Sequence, residues 1–75
     1  MKIEVLGTGC AKCRKLFDNA TEALKQSGKE GEVVKVDDIQ KIMSYGVMAT
    51  PALVVDGVVK FSGKLVSSDE IKLLF

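Results

Sequence analysis

Histidine and tryptophan are absent from this 75-residue chain, cysteine occurs twice, and proline and tyrosine once each. Without histidine there is no Cys–His nucleophilic pair, and the commonest metal ligand is missing. Two thiolates alone cannot close a four-ligand zinc site, so no resident metal is expected. There is no run of about 18 apolar residues, so no membrane span is expected. The N-terminal Met1–Gly7 stretch carries no signal-peptide core, which points to the cytoplasm. A net charge of +1 with 28% charged residues gives no basic surface for nucleic acid and no acidic tail. Repeats, low-complexity tracts and linkers are absent as well.

Hydrophobic residues make up 47% of the chain, enough for one economical core, so residues 1–75 are expected to form a single domain. Lys2 to Leu6 reads as a strand and Gly7-Thr8-Gly9 as a loop. From Ala11 to Ser27, Cys13, Phe17, Ala20 and Leu24 recur at helical spacing, with Leu16 and Ala23 widening the stripe. Gly28 is a C-terminal stop. Glu32 to Val36 reads as a second strand. Asp37 followed by Gln40 has the form of a capping box for a short helix whose apolar face is Ile39, Ile42 and Met43, ended by Gly46. Pro51 to Val55 and Val58 to Phe61 are two further strands, joined by Asp56-Gly57, a strong two-residue hairpin signal. Ser67 with Glu70 forms another capping box, and Val66 with Ile71 a hydrophobic staple, for a last helix from Ser68 to about Leu74. The order is β-α-β-α-β-β-α. The first crossover should be parallel and right-handed, and the hairpin antiparallel.

The two cysteines, Cys10 and Cys13, flank Ala11-Lys12 where the first strand hands over to the first helix. A helix N-terminus presents unpaired N–H groups and partial positive charge, which stabilise a thiolate. Cys10 at the helix mouth is the candidate nucleophile toward a disulfide, and Cys13, on the buried stripe, the candidate resolving thiol. Lys12, Arg14 and Lys15 crowd the same turn, where cations are disfavoured. Either they form a solvated basic face, partly paired through Asp18, or they lower the thiol pKa and draw an acidic partner surface. Glu4, six residues before Cys10, is unusual on a strand covered from both sides. It is either a partly exposed group paired with a lysine or a buried acid able to take the proton of Cys13. Tyr45 reads as a core or rim residue, with a place beside the active loop as the alternative.

Gly9-Cys10-Ala11-Lys12-Cys13, Thr50-Pro51-Ala52-Leu53 and Asp56-Gly57, in this order of elements, resemble the thioredoxin/glutaredoxin superfamily in its small prokaryotic, redox-active disulfide form. The resemblance covers essentially the whole chain. It implies a minimal α/β thioredoxin-like fold, a four-stranded mixed sheet with helices on both faces. It also implies a cis Thr50–Pro51 bond beside the cysteines, although proline bonds are mostly trans. In that setting Thr50 and Pro51, with Lys12, would bind an extended substrate segment. The expected activity is that of a protein disulfide oxidoreductase with no bound cofactor, the Cys10–Cys13 disulfide carrying the electrons. Its substrates would be disulfides of proteins or small molecules. Thr8 stands where glutaredoxin-like sites carry a basic residue, so the expected electron donor is a thioredoxin-reductase-like protein rather than glutathione. A monomer is expected. The rival readings are a Cu(I)-type binding module, whose element order would be β-α-β-β-α-β, and a non-catalytic regulatory domain of the same fold.

Overall fold

Alternation along a single strand decides the architecture. The computed structural model describes residues 1–9 and 11–75, and Lys2–Leu6 form its first strand, β1. Ile3 and Val5 point into one apolar cluster, while Leu6 joins another. Successive side chains of a strand face opposite sides, so β1 needs cover on both. The remaining elements among the described residues supply it: α1 (Ala11–Ser27), β2 (Glu32–Val36), α2 (Ile39–Ser44), β3 (Ala52–Val55), β4 (Val58–Ser62) and α3 (Ser68–Lys72).

The sheet order is β2-β1-β3-β4. β1 runs parallel to β2 and antiparallel to β3, and β3 and β4 form an antiparallel hairpin. This is the expected mixed sheet. α1 and α3 cover the face of Ile3 and Val5 with Leu16, Ala20, Ala23 and Ile71, and α2 covers the opposite face with Ile42. The presence of α2 between the second and third strands separates this order from that of the rival metal module. Leu16 and Ile71 are fully buried, each contributing about 1.5–3 kcal/mol by leaving water.

The helices show where local signals win. α1 occupies the expected range, though its buried line is Cys13, Leu16, Ala20 and Ala23, with Phe17 and Leu24 only partly buried at its margins. Ser67 caps α3, its hydroxyl accepting from the Glu70 N–H at 3.3 Å, and Val66 and Ile71 are buried in the same cluster. At α2 the expected cap shifts by one residue. Asp38, not Asp37, is the N-cap, its carboxylate accepting from the Gln40 N–H at 3.0 Å. The expected apolar face of α2 is also narrower than its sequence suggests. Ile42 is buried, but Ile39 is 60% and Met43 69% exposed. A six-residue helix covers little sheet, and Tyr45 and Val47, just beyond it, occupy the rest of that face.

The hairpin forms as the Asp-Gly signal predicts. Asp56 and Gly57 have φ of 50° and 85°, the two positive values a two-residue turn of this hand requires. Val54 pairs with Val59 while Leu53 pairs with Phe61, so Lys60 is an extra residue that bends β4. Asp56 does more than turn the chain. Its carboxylate accepts from the Lys2 N–H at 2.8 Å, and its own N–H donates to the Lys2 carbonyl at 2.8 Å. The hairpin tip is thereby tied to the start of β1. Replacing Asp56 with Ala removes an acceptor and a residue tolerant of positive φ, and is expected to cost about 2 kcal/mol in urea unfolding. Asp56→Asn keeps both properties and should cost less than half as much.

Candidate active site

Cys13 lies in the first turn of α1, buried, and its sulfur is in a disulfide. The other cysteine of the sequence, Cys10, lies outside the described residues. What seats Cys13 is the absence of a side chain at Gly7. A Cβ built on Gly7 would stand 2.2 Å from the Cys13 sulfur and 2.9 Å from its Cβ, closer than any real contact. Gly7 itself is fixed by its N–H, which donates to the Val36 carbonyl at 2.9 Å. The glycine at the end of β1 therefore lets the first turn of α1 close onto the strand. Sequence reasoning took Gly7 only as loop. The available signal was a glycine directly following a strand and preceding a helix with a core-facing cysteine.

Glu4 is the one charged residue among the inner positions of β1. Its side chain is 14% exposed, and it faces the α2 side of the sheet with Leu6. One carboxylate oxygen accepts a hydrogen bond from the Tyr45 hydroxyl. The other lies 3.6 Å from the Lys2 ammonium. The expected lysine pairing of Glu4 is thus present, together with a partner that was not foreseen. The clue was in the sequence: a carboxylate on a strand buried from both sides needs a donor. Tyr45 is the C-cap residue of α2; its N–H donates to the Ile42 carbonyl at 3.2 Å, and the Gly46 N–H donates to that of Met43 at 2.9 Å. The hydrogen bond to Glu4, partial burial and the negative charge of Glu4 all raise the Tyr45 pKa above its ordinary value of 10.0.

From Tyr45 the chain runs through the 46–51 loop into β3. Val47 is buried, and Pro51 is buried with a cis Thr50–Pro51 bond. The Pro51 carbonyl accepts from the Gly63 N–H at 2.8 Å. Met48 and Thr50 project outward, Met48 completely exposed. Lys12, Arg14 and Lys15 are exposed on α1, whose first turn holds no acidic residue. The Arg14–Asp18 pairing does not form: among the described residues the ion pair is Lys2–Glu4. Arg14, Phe17, Asp18 and Lys35 instead line a shallow recess of about 260 Å³. That recess includes neither Cys13 nor Pro51.

The whole chain, residues 1–75, matches a protein family described as a thioredoxin domain. A thioredoxin of Methanothermobacter thermautotrophicus is 44% identical to it over 72 residues, covering 96% of this chain and 94% of the relative. A thioredoxin of Methanocaldococcus jannaschii is 40% identical over 70 residues, covering 93% and 80% respectively. A probable thioredoxin of Methanothermobacter marburgensis is 39% identical over 67 residues, covering 84% and 79%.

With one tyrosine and no tryptophan, ultraviolet absorbance isolates the Tyr45 titration. Its midpoint is expected above 10, and Glu4→Ala should bring it back toward the ordinary value, since the hydrogen bond and the negative charge are then both gone. Because the folded pKa is raised, the stabilisation is complete below pH 10. It is lost as pH rises through the folded midpoint, which denaturant midpoints across pH 8–12 would show.

Proposed function

This chain belongs to the thioredoxin family, a family of thiol–disulfide oxidoreductases, and we propose that it reduces disulfides through Cys10 and Cys13. The observation that carries the proposal is Cys13 itself: a shielded sulfur, already in a disulfide, in the first turn of α1. Cys10 stands three residues earlier in sequence, at the strand-to-helix junction where backbone N–H groups favour a thiolate.

In the proposed cycle the Cys10 thiolate attacks one sulfur of a substrate disulfide. A Cys10–substrate bond forms, the substrate S–S bond breaks, and the departing sulfur leaves as a thiolate and takes up a proton. Cys13, deprotonated, then attacks the Cys10 sulfur. The mixed disulfide breaks, the second substrate thiol is released, and Cys10–Cys13 is left oxidised. Two electrons have passed to the substrate, and an external thioredoxin-reductase-like donor returns them. No bound cofactor takes part.

Thr50 and Pro51 are the proposed docking backbone for an extended segment around the substrate disulfide. Lys12 and its exposed basic neighbours would draw an acidic partner surface. The exposure of Lys12 and Thr50 favours disulfides carried on proteins, with small-molecule disulfides as accessible alternatives. Among the described residues no helix is long and apolar enough to cross a membrane; the cytoplasm is the proposed location, with the chain acting as a monomer.

Mixed-disulfide trapping tests the assignment. Cys13→Ser should hold a partner covalently through Cys10, because resolution is blocked, whereas Cys10→Ser should capture almost nothing. Reductase turnover should fall more than about a hundredfold in either variant. Equal trapping by both variants would overturn the division of roles. Alkylation of Cys10 should show a midpoint below the free-thiol value of about 8.5. A midpoint at that value would remove the proposed activation.

A further inference from the structure

Glu4 poses a question that the thiol chemistry leaves open. Both oxygens of its carboxylate are engaged, one by the Tyr45 hydroxyl and one by the Lys2 ammonium at 3.6 Å. It faces the α2 side of the sheet, whereas Cys13 belongs to α1, which covers the other side. This arrangement suits a mechanical task better than a proton transfer.

The task is visible in the segment that follows Tyr45. In the 46–51 loop Val47 and Pro51 are buried, while Met48, Ala49 and Thr50 between them are exposed. It is held at its far end by the Gly63 N–H to Pro51 carbonyl bond at 2.8 Å. Beside that bond Ala49 packs so closely on Gly63 that a Cβ there would stand 2.9 Å from the alanine methyl. Its near end is held by Tyr45. The α2 helix is only six residues long and buries a single side chain, Ile42, so it anchors its own C-terminus weakly. The Tyr45–Glu4 hydrogen bond ties that end to the middle of the sheet.

We propose that Glu4 and Tyr45 form a latch that fixes the 46–51 loop on the sheet, making both positioning residues for partner docking at Thr50 and Pro51. The docking role rests on the oxidoreductase reading given above, but the latch itself does not. A loop already held in one conformation costs a partner less to engage, so the latch lowers KM while leaving the sulfur chemistry untouched.

The test compares Tyr45→Phe, Glu4→Gln and Glu4→Ala in two measurements. In turnover with a protein disulfide, Tyr45→Phe and Glu4→Ala should raise KM about three- to tenfold with kcat within about twofold, and the Cys10 alkylation midpoint should not move. In hydrogen exchange, the Gly63 amide, reporter of loop seating, should exchange about tenfold faster in both variants. Glu4→Gln keeps an oxygen that accepts from Tyr45 and should stay near wild type in both. Unchanged KM and exchange in Tyr45→Phe would overturn the latch. So would a fall in kcat with a shifted pH profile that Glu4→Gln shares with Glu4→Ala, because that pattern belongs to a proton acceptor. If the wild-type protein reduces no disulfide, the oxidoreductase reading fails, and exchange at Gly63 still decides whether the latch exists.

Discussion

The central strand pair, β1 and β3, is the constraint from which the rest follows. All four residues of β3 are buried, and the inner residues of β1 feed two clusters on opposite faces. A sheet buried on both sides demands helices on both sides, and 75 residues leave little material to supply them. α1 does most of that work on one face. On the other, α2 offers one buried residue and borrows Tyr45 and Val47 from the chain beyond it. The 46–51 loop is therefore tied to the core: the residues that finish covering the sheet also lead to Thr50 and Pro51.

The same economy governs the cysteine end. α1 starts within a few residues of the end of β1, and the two can approach closely only because Gly7 has no side chain where the Cys13 sulfur lies. Any larger residue there would push the helix away from the strand, since tightly packed interiors do not absorb a displaced methyl without strain. Shielding of Cys13 and the position of the first helical turn are thus one geometric fact. The basic residues Lys12, Arg14 and Lys15 remain outside it, exposed.

Signals that reside in neighbouring residues were the ones the sequence made legible. The Asp56-Gly57 turn, the Ser67 cap with its Val66–Ile71 staple, and the periodicity of α1 each depend on contacts within a few positions, and each appears where expected. Element order then set the sheet, and the motif resemblance supplied its mixed character and the cis proline. Features decided by distant partners were harder to read. Two adjacent aspartates, Asp37 and Asp38, both fit the sequence pattern of the cap, and Asp38 takes it. The exposure of Ile39 and Met43 depends on how little sheet lies beneath α2. The Glu4–Tyr45 bond spans 41 positions of sequence, and no local pattern encodes it, although an acid on a buried strand announces that some donor must exist. Gly7 was misjudged for the same reason: its role is a contact with Cys13 in another element.

Stability alone does not explain a carboxylate at position 4. Glu4 sits between Val34 of β2 and Val54 of β3, a setting that suits another β-branched side chain. Taking a charge largely out of water is costly, and its pairing with Lys2 recovers little, because that ammonium stands well out in solvent. An apolar residue of similar size would be expected to match or exceed Glu4 in stability. What it would not provide is an acceptor fixed at one point of the sheet for one hydroxyl. Apolar contact holds α2 against the face without specifying where its C-terminus stops, whereas a hydrogen bond to a charged oxygen is directional and short. The polar group in β1 gives up some stability and in return sets the place from which the Pro51 loop departs.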